Sequence, residues 1–131
     1  MIVVDTCALI FDALTPERLT MNAKKAIDKA ERQNKLFCCD ISLWEVAMLV
    51  HKKRIEPGVE VEVFLQLMLG ARGVQVLPID IEIASISINP MLFNHGDPAD
   101  RLIAATAIHH RAKLVTSDNK LAAISHVEVI W

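Results

Sequence analysis

Short β-rich runs alternate with longer helical patterns along the whole chain, and this alternation constrains the fold more than any other feature. Five apolar runs are predicted as strands, namely residues 2–5, 36–39, 75–79, 113–117 and 127–130. Strands that alternate with helices form βαβ units, and right-handed crossovers place the helices on both faces of the sheet. The pattern therefore predicts an α/β fold, with three α/β/α layers around a mostly parallel sheet of about five strands.

The predicted helices fill the segments between these strands. We expect a short helix from residue 7, a longer one over 16–33, and others over 42–53, over 59–71, from 80, from 97 and over 119–124. Thr15 is a candidate N-cap for the 16–33 helix, because Pro16 then occupies the first helical position.

Length and composition indicate one domain. A chain of 131 residues can bury one sizeable core, so we expect residues 1–131 to form a single domain. Apolar residues make up 53% of the chain and the mean hydropathy is +0.34, so we expect part of the apolar surface to be buried against a second subunit. We see neither a run of about 20 apolar residues suited to a membrane span nor the features of a signal peptide, which favours a cytoplasmic protein.

The cysteines argue against a disulfide-stabilised fold, and the net charge limits how a nucleic acid could be bound. Cys7, Cys38 and Cys39 are odd in number and lack a Cys-x-x-Cys spacing, so we expect small buried side chains rather than a disulfide framework. The net charge of −2 gives no global positive field for a nucleic acid. Any such partner would be held by local patches or through a bound metal.

Four acidic residues fall where this fold would bring them together. Asp5 and Asp118 each end a predicted strand, while Glu45 and Asp100 lie near the starts of predicted helices. Ligands of open α/β sheets bind beyond the carboxyl ends of the strands, which is the edge where all four would meet. Carboxylates gathered there repel one another, and a divalent cation is the simplest way to offset that repulsion.

Each carboxylate also has a structural explanation of its own. Helix capping or the helix dipole accounts for Asp5, Asp97, Asp100 and Asp118 taken singly. Arg101 could equally neutralise Asp100, and a salt bridge elsewhere in the fold could account for Glu45. The joint placement is therefore stronger evidence for a site than any single residue.

The donor types indicate which cation would bind. Carboxylate oxygens without clustered Cys or His favour Mg²⁺ or Mn²⁺ over zinc. Such an ion can activate a water and stabilise a leaving oxygen in phosphodiester hydrolysis. The chain lacks a Walker-type loop and a Gly-x-Gly-x-x-Gly motif, which counts against nucleotide binding by those routes.

Four segments of the chain resemble PIN-domain ribonucleases, and most closely the VapC-type toxins of bacterial and archaeal toxin–antitoxin pairs. They are Val3-Val4-Asp5-Thr6, Ser42-Leu43-Trp44-Glu45-Val46, the stretch from His95 to Ala107, and Leu114-Val115-Thr116-Ser117-Asp118. The order, the spacing and the overall length all fit, so the resemblance covers essentially the whole chain.

The resemblance implies roles for individual residues. Asp5, Glu45, Asp100 and Asp118 match the acidic metal-binding quartet of the family, and Asp97 matches an acidic residue often found beside it. Thr6 and Ser117 match hydroxyl positions next to the site. Members of the family are Mg²⁺- or Mn²⁺-dependent endoribonucleases, usually homodimers, which a cognate antitoxin holds inactive. The resemblance thus implies an RNA substrate and an antitoxin partner.

Contacts with a substrate are less clearly indicated. Lys52, Lys53 and Arg54 could bind phosphates, but cations at the end of a helix are also typical of a solvated surface. For Arg101 we expect pairing with a carboxylate. Trp44 could stack on a base, although a place in the core is the favoured interpretation.

Two other functions fit the same sheet. The first is a non-catalytic binding module similar to a phospho-receiver, although the predicted third strand does not end in an Asp. The second is a phosphatase-like hydrolase with Asp5 as nucleophile. That chemistry usually needs a second Asp two residues later, where this chain has Cys7.

Overall fold

Five parallel strands form one sheet in the computed structural model, which describes residues 1–93, 96–124 and 126–131. Within these residues the strands are β1 (Ile2–Val4), β2 (Leu36–Cys39), β3 (Gln75–Leu77), β4 (Lys113–Val115) and β5 (Val129–Ile130). Their order across the sheet is β3-β2-β1-β4-β5, and every neighbouring pair is parallel. β1 is therefore the central strand. His95, which begins one of the motif segments, lies outside the described residues.

Helices cover both faces of this sheet. They are α1 (Thr6–Leu14), α2 (Met21–Arg32), α3 (Ile41–His51), α4 (Val61–Arg72), α5 (Ile81–Ser87), α6 (Pro98–His109) and α7 (Asn119–Ala122). The first four contribute to one apolar core, while α6 and α7 contribute to a second core, and α5 packs against α6. The predicted three-layer α/β/α fold is confirmed. In the described part of the chain, no helix is both long and apolar enough to cross a bilayer.

Alternation along the strands divides the side chains between the two cores. Ile2 and Val4 of β1 face the core that contains α1 to α4, whereas Val3 faces the core that contains α6. In β4, Val115 faces the core that contains α1 to α4, and Leu114 faces the core that contains α6. Successive side chains of a strand point to opposite faces, so both layers of helices are held by strands that are apolar on both sides.

The prediction of one helix over 16–33 is wrong at its start. Pro16–Arg18 forms a separate 3₁₀ turn, and α2 begins only at Met21. The reason is that Leu19 adopts an extended backbone and is buried in the core, which interrupts the helix. Thr20 then caps α2, because its hydroxyl oxygen accepts a hydrogen bond from the Ala23 N–H at 3.1 Å. Thr15 makes no side-chain capping bond.

An ion cluster joins three helices of the first layer. Arg72 of α4 donates two hydrogen bonds of 2.8 Å to the carboxylate of Asp12 on α1. Its Nη1 donates to Asp28 at 2.6 Å and to Glu31 at 2.8 Å, both on α2. One planar guanidinium thus fixes α1, α2 and α4 relative to one another.

Candidate active site

Asp5 is a buried carboxylate fixed by the start of α1 and the end of β4. It follows β1 and caps α1, since its Oδ1 accepts from the Ala8 N–H at 2.8 Å. Its Oδ2 accepts a hydrogen bond from the hydroxyl of Thr116. Its backbone N–H donates to the Val115 carbonyl at 3.0 Å, and only 6% of the residue is exposed. The capping explanation and the predicted place at the sheet edge therefore both hold for this residue.

Thr116 links the two acidic residues that follow neighbouring strands. It is fully buried, donates to Asp5, and accepts the backbone N–H of Asp118 at 3.0 Å. The family resemblance pointed instead to Ser117, which the structure places on the exposed side of the chain. Sequence reasoning missed Thr116, because its place beside Asp5 follows from the pairing of Val4 with Val115 between β1 and β4, which the sequence does not reveal.

Glu45 lies on α3 and is held by the start of α1. The Thr6 hydroxyl donates to Glu45 Oε1 and is also hydrogen-bonded to the Ser42 hydroxyl at 2.9 Å. In the described residues Glu45 forms no ion pair, so the salt bridge considered from the sequence is not observed. Thr6 is therefore the residue that orients this carboxylate.

Asp97 and Asp100 differ in what their side chains do. Asp97 caps α6, because its Oδ1 accepts from the N–H groups of Ala99 at 2.7 Å and of Asp100 at 3.3 Å. Asp100 is half-buried in the first turn of the same helix. Its pKa is raised to about 6 by burial and by the neighbouring charges of Asp97, Asp118, Glu45 and Asp5.

Asp118 caps the short helix α7 and completes the group. Its Oδ1 accepts a hydrogen bond from the Lys120 N–H at 2.8 Å. We call Asp5, Glu45, Asp97, Asp100 and Asp118 the acidic edge, because the charges of these five residues act on one another. The sequence prediction that the acidic residues would gather at one edge thus agrees with their placement in the fold.

Mutual repulsion within the acidic edge is visible in its protonation equilibria. Burial raises the pKa of Asp5, and the charge of Asp118 raises it further. The hydrogen bonds from Thr116 and Ala8 partly offset this increase. Burial also raises the pKa of Glu45, and the charges of Asp97 and Asp5 add to that shift despite the bond from Thr6. Like charges in a partly dry site disfavour ionisation of one another. A cation would reverse these shifts.

The side chains of the acidic edge suit a hard divalent cation. All of the donors are carboxylate oxygens, the type that Mg²⁺ and Mn²⁺ prefer. No three of these residues have oxygens that all lie within 4.8 Å of one another, among the residues that the structure describes. Because Mg²⁺ typically keeps several waters and takes only one or two carboxylates, the observed spread still fits such an ion.

Two apolar expectations near the acidic edge are wrong. Trp44, expected in the core, is 56% exposed, because its neighbour Glu45 faces inward and α3 turns Trp44 to solvent. Cys7, expected to be buried, is exposed, while Cys38 and Cys39 are buried as expected. The pKa of the Cys7 thiol is raised to about 11 by its partial burial and by the surrounding carboxylates. Cys7 therefore carries no charge near neutral pH.

A second compact group of possible ligands lies elsewhere, and the sequence did not indicate it. One ligand atom from each of Asp80, Glu82 and His109 lies within 4.8 Å of the others. Asp80 caps α5 through the Ile83 N–H at 2.8 Å, and its other oxygen lies 3.3 Å from His109 Nε2. A helix cap and an ion pair account for these contacts.

A small cavity adjoins the acidic edge and contains positive charge as well. Its volume is about 80 Å³. Its polar lining residues are Asp97, Asp100, Arg101, Asp118 and Lys120. Lys120 was not among the candidates suggested by the sequence, because its place in the same cavity as Asp100 depends on how α6 and α7 lie relative to each other.

Comparison with known proteins relates the chain to one family. The family profile of the PIN domain matches residues 2–127. Ribonuclease VapC22 from Mycobacterium tuberculosis is 38% identical over 111 residues, which are 85% of this chain and 82% of that protein.

Solved structures share the fold at lower sequence identity. VapBC2 from Rickettsia felis, bound to a DNA fragment from its promoter, superposes with a TM-score of 0.74 at 18% identity, covering 98% of this chain and 97% of the other. A toxin–antitoxin complex from Klebsiella pneumoniae gives a TM-score of 0.65 at 22% identity, covering 97% and 95%.

Proposed function

Since the chain belongs to the PIN domain family, we propose that it is a metal-dependent endoribonuclease and the toxin of a type II toxin–antitoxin pair. Residues 1–131 act as a single PIN-like domain that hydrolyses phosphodiester bonds of RNA. The observation that carries this proposal is the acidic edge, where burial and the charges of neighbouring carboxylates raise the pKa values of Asp5, Glu45 and Asp100. Its RNA substrate favours a cytoplasmic location.

Within this proposal, Asp5, Glu45, Asp100 and Asp118 hold Mg²⁺ or Mn²⁺. The oxygen donors of these side chains and their shared electrostatics support the assignment. Asp97 caps α6 and accepts the backbone N–H of Asp100, which supports a role in positioning that residue. When bound, the ion lowers the pKa of a coordinated water and offsets the charge of the phosphate.

The residues around these carboxylates fix their positions before substrate arrives. Thr116 and the Ala8 N–H each hold one oxygen of Asp5, and Thr6 holds Glu45 Oε1. Side chains already locked by hydrogen bonds lose little freedom when they bind an ion or a substrate. We therefore assign Thr6 and Thr116 as positioning residues, and Ser117 only as an exposed neighbour of the site.

The proposed partners are an RNA substrate, an antitoxin protein and a second copy of the chain. The antitoxin is inferred from the named complexes among the structural neighbours. Self-association is supported by Ile81, Ile88 and Met91, which are 86%, 77% and 89% exposed on α5 and just after it. Analytical ultracentrifugation of the parent and of Ile88→Glu tests this, and a monomeric parent would contradict it.

The two alternative functions have less support. A phospho-receiver-like module needs an acceptor Asp after β3, and the nearest, Asp80, has one oxygen capping α5. A phosphatase-like hydrolase that uses Asp5 as nucleophile needs an acid at position 7, where this chain has an uncharged Cys7. Neither chemistry explains why Glu45 and Asp100 share the same edge.

The proposed function is tested by cleavage of a structured RNA in the presence of Mg²⁺. Addition of EDTA and the substitution Asp5→Asn should each abolish cleavage. Asp80→Asn is the matched control, because Asp80 also caps a helix but lies outside the acidic edge. Cleavage that persists in EDTA, or equal loss in both variants, would contradict a metal site at Asp5.

A further inference from the structure

Two cationic residues of the cavity beside the acidic edge belong to the first turns of α6 and α7. The backbone N–H of Arg101 donates to the Asp97 carbonyl at 3.1 Å, one residue after Asp100 in the first turn of α6. The backbone N–H of Lys120 donates to Asp118 Oδ1 at 2.8 Å. Each cation is therefore attached to a helix start that an acidic residue caps, and both line the same cavity.

Neither cation forms an ion pair with another of the described residues. Arg72, by contrast, binds three carboxylates, and Lys113 lies 3.4 Å from Glu128. The sequence-based expectation that Arg101 pairs with a carboxylate is therefore not met, although Asp97, Asp100 and Asp118 line the same cavity. The Arg101 guanidinium and the Lys120 ammonium form no ion pair with the nearby carboxylates. Both are therefore available to bind an anion.

The size and walls of the cavity indicate which anion fits. At about 80 Å³ it is far smaller than the 300–1,000 Å³ pockets that enclose whole drug-sized ligands. It has room for a phosphate group but not for a whole nucleotide. Its remaining walls are mainly the apolar side chains of Leu92, Phe93, Leu121 and Ile124, which cannot hydrogen-bond to base edges.

We propose that Arg101 and Lys120 bind a backbone phosphate of the RNA in this cavity and so position the strand across the acidic edge. The inference rests on the proposed ribonuclease function. Arg101 supplies a planar fork for two phosphate oxygens, while Lys120 supplies a point charge. Because the contact is to phosphate and the walls are apolar, it contributes affinity without selecting a sequence.

The experiment measures binding of a fluorescent single-stranded RNA by anisotropy, in the Asp5→Asn background with Mg²⁺ present, so that cleavage does not interfere. Arg101→Gln and Lys120→Gln are each added, and Lys113→Gln is the matched control at the opposite end of β4. Each test variant should weaken binding about 5- to 20-fold for RNAs of unrelated sequence, and the control should weaken it less than about twofold.

The salt dependence separates a phosphate contact from a structural effect. Each lost contact should reduce the slope of log Kd against log salt concentration by about 0.7, the value for single strands. Unfolding temperatures of all variants should match that of the background. The inference is overturned if the slope stays unchanged, if Lys113→Gln behaves like the test variants, or if the background binds no RNA. EDTA-sensitive cleavage combined with unchanged slopes would leave the proposed function standing while this inference fails.

Discussion

The hydroxyl of Thr116 donates a hydrogen bond to Asp5, a residue 111 positions earlier in the chain. The same oxygen accepts the backbone N–H of Asp118 at 3.0 Å. One buried side chain therefore sets the positions of the two acidic residues that follow the neighbouring strands β1 and β4. Replacement of this hydroxyl should disturb both residues at once.

Thr116→Val should therefore reduce stability and raise the Mg²⁺ concentration needed for half-maximal cleavage, whereas Thr116→Ser should retain both properties. A hydrogen bond to a charged group contributes about 1.5–3 kcal/mol, so a loss of about 2 kcal/mol in unfolding free energy is expected. Thr106→Val is the control, since Thr106 is equally buried but donates to the Leu102 carbonyl within α6. An equal change in Mg²⁺ requirement for both Val variants would contradict the assignment.

Asp100→Asn should stabilise the metal-free protein at neutral pH while it abolishes cleavage. The folded pKa of Asp100 is about 6, raised above its ordinary value of 3.8 by burial and by neighbouring carboxylates. Between these values the folded state holds a proton that the unfolded state has lost, so stability falls as pH rises toward 6 and stays reduced above it. Because Asp100 is half exposed, the penalty removed by Asn is about 1 kcal/mol after solvent screening.

Urea unfolding in EDTA at pH 4, 5, 6 and 7 measures this effect. The difference between Asp100→Asn and the parent should grow from pH 4 to pH 6 and then level off. Glu128→Gln, at an exposed carboxylate paired with Lys113, should show no such trend. A variant that is less stable than the parent at pH 7 would mean that repulsion at Asp100 is not the dominant effect.

Mg²⁺ or Mn²⁺ should raise the unfolding temperature of the parent through the acidic edge. A ligand that binds only the folded state stabilises it by about 2.7 kcal/mol when its concentration is 100 times the Kd. The shift should vanish in Asp5→Asn, and calorimetric titration gives the affinity independently of cleavage. Retention of the full shift in His109→Gln would separate this site from the group formed by Asp80, Glu82 and His109.

Arg72→Met should destabilise the fold without changing the chemistry. Its removal leaves the carboxylate of Asp12 largely buried, with 16% of its side chain exposed, and without its bidentate partner. Breaking a buried ion pair typically costs 3–5 kcal/mol, and partial exposure here reduces this to about 3 kcal/mol. Cleavage per folded molecule should stay unchanged. Lys113→Met removes only an exposed pair and should cost less than about 1 kcal/mol.

The sequence predicted the layers well because periodicity and burial act over a few neighbouring residues. The five strands alternate with helices in the order expected, and Asp97 caps α6 as its sequence context with Pro98 indicated. The start of α2 was mispredicted because Pro16 resembles a helix start, whereas burial of Leu19 decides where the helix begins. Local sequence patterns do not reveal which apolar residue will be buried in the core.

The contacts that build the site were harder to predict because they join distant segments. Thr116, at the end of β4, donates to Asp5, at the end of β1. Thr6 of α1 donates to Glu45 of α3. Trp44 lies among apolar residues in the sequence, yet α3 presents it to solvent beside the acidic edge. Residue types were enough to identify the carboxylates as candidates. The positions of the hydroxyls that bind them and of the cations beside them depend on how the layers pack.

Three residues of the acidic edge, Asp5, Asp97 and Asp118, also cap helices, whereas the carboxylate of Asp100 makes no cap. Substitutions that inactivate this site therefore differ in whether they also weaken the fold. Loss of a capping Asp removes a hydrogen bond to a helix start and weakens the fold as well as the site. Substitution of Asp100 relieves repulsion instead, so a protein inactivated at this residue keeps its fold. Inactive relatives that still fold should therefore more often have lost the acid at the Asp100 position than the acid at the Asp5 position.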